Sequence, residues 1–148
     1  MKKLILLCFG IATLSACKKD SEPTPTSPAD LLTAKNWRIT TYTVFLSGVP
    51  LPGAVPACNL DDYLKFNSDK TLVHNAGAIK CNPTDPQTDT GTWSMPSTDK
   101  LILMEPNNLS LGSPSVPYDI KELSATTLHI SSVPGNGSIT ADVILTAF

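Results

Sequence analysis

Cys58-Asn59-Leu60-Asp61-Asp62-Tyr63-Leu64-Lys65-Phe66-Asn67-Ser68-Asp69-Lys70-Thr71-Leu72-Val73-His74-Asn75-Ala76-Gly77-Ala78-Ile79-Lys80-Cys81 is the segment on which the reading of the fold turns. It holds two apolar-alternating runs, Tyr63 to Phe66 and Thr71 to His74, joined at the turn-rich cluster Asn67-Ser68-Asp69-Lys70. In an antiparallel hairpin, opposed residues carry numbers with a nearly constant sum. A turn centred near Asp69 sets that sum at about 138, and positions 58 and 81 add to 139. The two cysteines therefore fall close to opposite one another at the open end of a hairpin. A bridge between them contributes about 3 kcal/mol in the chain-entropy picture.

The same period-two pattern continues on both sides. Upstream, Trp37, Ile39, Thr41, Thr43 and Phe45 alternate with Arg38, Thr40, Tyr42 and Val44, a strand rich in β-branched and aromatic residues. Between it and the hairpin, Val49 to Pro56 is a loop whose prolines exclude an interior strand. Downstream, Lys80 to Thr90 is a long loop, and Gly91 to Met95 is a short strand stopped by Pro96. Further strands run over Lys100 to Glu105, Val116 to Leu123, Thr126 to Val133 and Ser138 to Phe148. The Leu101 to Met104 run shows no clear inside face. Before all of these, Ser27-Pro28-Ala29-Asp30 has the capping serine, first-turn proline and acid three residues on that open a helix. That helix ends by about Asn36 and suits a plug at one end of a barrel. Eight strands with hairpin connections predict an all-β fold, an eight-stranded antiparallel up-and-down barrel, with a β-sandwich as the alternative.

The N-terminus carries an address. Met1-Lys2-Lys3 is a positive head, and Leu4 to Leu14 is an apolar core of about eleven residues, against roughly 20 for a membrane-spanning helix. Leu14-Ser15-Ala16-Cys17 resembles the lipobox of bacterial lipoproteins. That resemblance implies removal of residues 1–16 and lipidation of Cys17, which changes a soluble protein into an anchored one. Residues 17–28 then form a polar, proline-containing tether, and residues 29–148 the single folded domain. Cys17-Lys18-Lys19-Asp20-Ser21-Glu22 resembles the charged leader of lipoproteins displayed on the outer face of the outer membrane. The expected location is the cell envelope, surface-exposed in preference to periplasm-facing.

Processing takes Lys2, Lys3 and Cys8 with the signal and leaves nine basic against thirteen acidic residues, a net side-chain charge of −4. No basic cluster remains beyond Lys18-Lys19, so nucleic-acid binding is disfavoured. Export favours a Cys58–Cys81 disulfide. The alternative, a two-cysteine metal site, lacks a CxxC pair and nearby histidines.

No catalytic set emerges. His74 and His129 are each read as facing away from their apolar neighbours, solvated. Asp61-Asp62 is the best acidic pair, but adjacent strand positions point to opposite faces, so capping a turn beside the disulfide is favoured over calcium binding or acid–base work. Asp85 and Asp89 lack EF-hand spacing. G-x-S-x-G, HExxH and glycine-rich phosphate loops are missing. The sequons at Asn108 and Asn136 carry no weight in a bacterial lipoprotein. The expectation is a non-enzyme without cofactor or metal.

Together, the lipobox, the Leu31-Leu32 helix running into Asn36-Trp37, Cys58 with Asp61-Asp62 and the Phe66 to Asp69 turn, Cys81 before Gly91-Thr92-Trp93, and Tyr118-Ile120-Leu123 before Leu128 resemble bacterial lipoproteins with a lipocalin-like (calycin) domain, over roughly residues 31–148. Lys35-Asn36-Trp37 stands where true lipocalins begin with glycine-x-tryptophan. The resemblance implies a barrel with Trp37 packed at its closed end and Trp93 in its core. It also implies a binding or accessory role toward a small apolar ligand or an envelope partner. The alternative is a filled barrel acting through its loops at 47–57, 80–90 and 106–115.

Overall fold

Ser27 caps the first helix. Its hydroxyl accepts from the Asp30 amide at 3.1 Å while Asp30 Oδ2 accepts from the Ser27 amide at 2.9 Å, a complete capping box. The computed structural model describes residues 27–51, 56–59, 61–104, 117–132 and 139–148. Residues 1–16, Cys17 and the tether up to residue 26 lie outside that set, as do the 106–115 loop and both sequons.

The helix α1 spans Pro28–Ala34 and is followed by β1 (Asn36–Leu46), β2 (Val49–Leu51) and a 3-10 turn at Ala57–Asn59. Then come β3 (Tyr63–Phe66), β4 (Thr71–Asn75), β5 (Thr88–Ser97), β6 (Lys100–Met104), β7 (Pro117–Leu123), β8 (Thr127–Ser132) and β9 (Ile139–Ala147). Every neighbouring pair is antiparallel, and β1 pairs with both β3 and β9. The sheet therefore closes into an eight-stranded barrel, with β2 as an extra flap on the upper part of β1. The sandwich alternative falls, because all strands share one continuous sheet.

Several sequence expectations are refined. β2 occupies part of the expected proline loop. It is an edge strand, where Pro50 costs no ladder donor, and its turn residues Ser47 and Gly48 both have positive φ (51° and 81°). Pro96 does not end β5. It falls in the stretch between Ser94 and Ser97 where the register with β6 shifts, which tolerates a missing N–H. In β1 a similar irregularity between Ile39 and Thr41 reverses the expected alternation. Beyond it, Tyr42 and Val44 share the inner face, opposite the inward Val143 and Ala141. β6 does have an inside face, formed by Leu101 and Leu103.

The two ends of the barrel differ. At one end lie α1 and the tight turns at 67–70, 98–99 and 124–126. Leu32 of α1 is fully buried, and its carbonyl accepts from Trp37 Nε1 at 2.8 Å. Lys65 reaches over to donate to the Thr33 carbonyl at 2.7 Å, supplying the cation that the helix's own last turn lacks. This is the plug expected from the sequence. All the longer connections leave from the other end.

Between the ends, the described side chains pack the interior. Leu32, Trp37, Phe66, Leu72, Leu101, Leu103, Tyr118, Leu128, Ile130, Val143 and Leu145 are each 0 % exposed, and Trp93 is 2 % exposed. A void large enough for a water would leave accessible surface on its walls, so none adjoins the eleven fully buried side chains. Phe66 and Trp93 meet edge to face at 5.8 Å.

Candidate functional site

The hairpin that decided the fold also builds the site. Tyr63 pairs with Asn75 and Phe66 with Leu72, so opposed numbers sum to 138 as expected. Cys58 and Cys81 are joined by a disulfide with a Cα–Cα distance of 5.0 Å. It ties the segment entering β3 to the segment leaving β4 at the loop end.

The acidic pair beside it divides. Asp61 turns to the loop, accepting from the amides of Ala78 at 2.5 Å and Ile79 at 3.1 Å, which is the turn-capping role expected for the pair. Gly77 permits this approach. Its φ is +54°, and a Cβ there would lie 2.5 Å from the Asp61 carboxyl. Gln87 clamps the same turn, donating to the Gly77 carbonyl at 2.6 Å and the Asn75 side chain at 3.2 Å.

Asp62 does something else. It points to the opposite face, where its Oδ2 lies 3.0 Å from His74 Nε2. Their side chains are 8 % and 5 % exposed. The expectation that His74 is solvated is therefore wrong. Leu72, His74 and Ala76 are two apart and share the inner face, and all are buried. His74 lies directly opposite Leu64 on one side and Asp89 on the other, while the Asp89 carboxylate accepts from the Thr90 amide. His129 does face outward, half-buried, 3.8 Å from Asp142. The signal for the Asp62–His74 pair was present in the hairpin register. With a sum of 138, residue 62 falls beside 76, one same-face step from 74.

Asn59, Asp62, His74, Ala76, Lys80, Cys81, Asp85 and Pro86 line a cavity of about 80 Å³ at this end. Lys80 is drawn onto the loop, donating to the Asp85 carbonyl at 2.8 Å. Asp62 Oδ1 is buried with no hydrogen-bond partner. Among the described residues, no three or more His, Cys, Asp or Glu side chains converge to hold a metal.

The rim of the same end is apolar elsewhere. Of seven exposed large apolar side chains among the described residues, Leu46, Val49, Leu51, Ile79, Met104 and Ile139 lie at the loop end, and Phe148 alone at the plugged end. Leu46 is directly opposite both Val49 and Ile139, so the three form one row at the barrel mouth.

The shifted titrations lie away from the pocket. Asp119 is held below the usual carboxylate range, first by the hydrogen bond from Lys100 at 2.5 Å, and Lys100 is raised in return. Thr71 lowers Asp69, and Ser97 lowers Asp99, in both cases mainly by hydroxyl donation.

No curated protein matches the sequence. A crystal structure of a lipocalin-like protein from Bacteroides uniformis matches with a TM-score of 0.50 at 12% identity, covering 80% of this chain and 99% of that one. Residues 33–130 match the family model described as a lipocalin-like domain. That match takes in more than half of the chain, from the end of α1 to Ile130 in β8, and the ring that β9 completes is the fold it implies: the chain belongs to the family of lipocalin-like domains.

Proposed function

We propose that this protein is a lipid-anchored, non-enzymatic binding module of the bacterial cell envelope that works through the loop end of a filled barrel. The observation that carries the reading is the sorting of apolar surface. Among the described residues, side chains fill the barrel, and six of the seven exposed large apolar groups gather at the loop end. Apolar surface concentrated in one region, with the rest polar, is the usual mark of a contact site. Drug-sized ligands need cavities of roughly 300 Å³ or more, and the eleven fully buried side chains leave no such space beside them. This favours an envelope partner over a small apolar cargo.

The anchor supports the same orientation. Lipidation at Cys17 would attach the chain ten residues before Ser27, and Ser27 lies at the plugged end. Outer-membrane, surface-facing display follows from the charged leader after Cys17.

Photo-crosslinking in cells tests the working end. A crosslinking residue at Val49 or Ile79 is expected to trap one discrete species, and one at Ala125 in the plugged-end turn to trap none. Equal trapping at all three positions sinks the reading. Native mass spectrometry of the purified lipoprotein provides the second check: a co-purifying apolar adduct beyond the anchor restores the carrier alternative. Incorporation of an alkyne fatty acid, abolished by Cys17→Ser, tests the anchor.

A further inference from the structure

We propose that the folded chain cuts its own Asp85–Pro86 peptide bond, a single-turnover step that goes beyond the working-end reading and does not depend on it. The chain holds one Asp-Pro pair, and both residues line the loop-end cavity. Two chemical properties set such a bond apart. The aspartate carboxylate can close a five-membered ring on its own carbonyl carbon. The proline nitrogen belongs to a tertiary amide and departs as a basic secondary amine.

The fold adds what an isolated Asp-Pro pair lacks. Lys80 Nζ donates to the Asp85 carbonyl oxygen at 2.8 Å. That oxygen becomes the oxyanion when the carboxylate adds to its carbon, and a fixed ammonium holds it more strongly as the charge develops. Residue 85 is also oriented. Its amide donates to the Asn82 carbonyl at 3.0 Å, and Asn82 Nδ2 donates to Asp85 Oδ1 at 3.0 Å. Holding the acid beside its target removes part of the entropy cost of attack. The cavity, at about 80 Å³, exceeds the ~10–15 Å³ that one water needs.

The step balances in atoms and protons. Asp85 Oδ2 bonds to the Asp85 carbonyl carbon, the bond from that carbon to the Pro86 nitrogen breaks, and the nitrogen takes a proton from Lys80. One water then opens the cyclic anhydride to the α- and β-carboxylates. Of the two protons this releases, one returns to Lys80 and the other charges the Pro86 amine. Cys58 and Cys81 both precede the cut, and β5 to β9 all follow it. The two pieces therefore stay together through the β4–β5 and β1–β9 pairings.

The test incubates the purified full chain at neutral pH and follows its intact mass. The same chain in guanidinium gives the rate intrinsic to an Asp-Pro bond. Expected is a cut between Asp85 and Pro86 that is at least about a hundredfold faster in the folded chain, the scale of one oxyanion donor. In heavy-oxygen water the label should be shared between the α- and β-carboxyls of Asp85, because an anhydride opens at either carbonyl. Lys80→Met should slow the cut about a hundredfold and Lys80→Arg should recover part of it. Asp85→Asn should abolish the label in the side chain and the fast cut with it. If these variants do not fold, the folded-against-unfolded comparison and the label position still decide. Equal rates in the folded and unfolded chain, label confined to the α-carboxyl, or an undiminished rate in folded Lys80→Met overturns the proposal.

Discussion

The two ends of this barrel are built from different materials. The plugged end is short turns, a capped helix and large buried side chains: Leu32 and Trp37 are joined by a hydrogen bond, and Lys65 closes the helix. The loop end is held by a covalent bridge, a glycine that admits a carboxylate, and a buried polar pair. One end is stabilised chiefly by apolar burial, the other by specific links between segments that bury little. An end whose segments bury little apolar surface draws its order from bonds of fixed geometry.

That contrast gives a ranked set of measurements. The largest effect is expected from Trp37→Ala, which removes the fully buried ring beside the plug and should cost about 3–5 kcal/mol by urea unfolding. A loss under about 1 kcal/mol would mean the plug is not what stabilises that end. Replacing Cys58 and Cys81 together by serine should cost about 3 kcal/mol. Native-state hydrogen exchange should then show the loss around Ala76 to Gln87, with β8 and β9 still protected. Uniform loss of protection would erase the distinction between the ends.

Gly77→Ala comes next. It puts a Cβ against Asp61 at a positive φ, and a cost of roughly 1–3 kcal/mol is expected in thermal unfolding. Ser27→Ala removes half the capping box and should cost about 1 kcal/mol, with Ser27→Gly milder. Acid titration of stability should show the smallest effect. Asp69, Asp99 and Asp119 are all lowered in the folded state from 3.8. Their contribution is present above 3.8 and is lost as pH falls through the depressed folded values. Asp69 and Asp99 are exposed and Asp119 is partly exposed, so the slope is shallow and salt-sensitive. Asp119→Asn should flatten it further below pH 3.8, and a steeper slope in that variant would contradict the assignment.

What the sequence revealed followed the range of the interactions. The capping box at Ser27 and Asp30, the turn at Asn67 to Lys70 and the pairing of Cys58 with Cys81 were legible because each depends on residues close in the chain or on one hairpin's register. The face reversal in β1 was not, because the irregularity between Ile39 and Thr41 answers to β9, about a hundred residues away. His74 was misread by judging it against adjacent Val73 rather than Leu72, two positions back, which shares its face. Its partner Asp62 stood in plain view as half of an acidic pair. What split that pair was strand alternation: Asp61 took the loop amides and Asp62 the interior. The apolar rim was hidden for another reason. Leu46, Val49 and Ile139 look like ordinary strand residues until the closed ring shows that their row lies above the filled part of the barrel.

The seam between β1 and β9 sets a schedule for the newborn chain. It joins the first strand of the ring to the last, with Trp37 facing Ala147 and Leu46 facing Ile139. At about 5–20 residues per second, a ribosome delivers β9 roughly 5–20 seconds after β1. For that interval the edge of β1 that will receive β9 is bare along its whole length, because the flap of β2 lies on the opposite edge, above β3. Whatever escorts this chain before it closes must keep that one strand from finding the wrong neighbour.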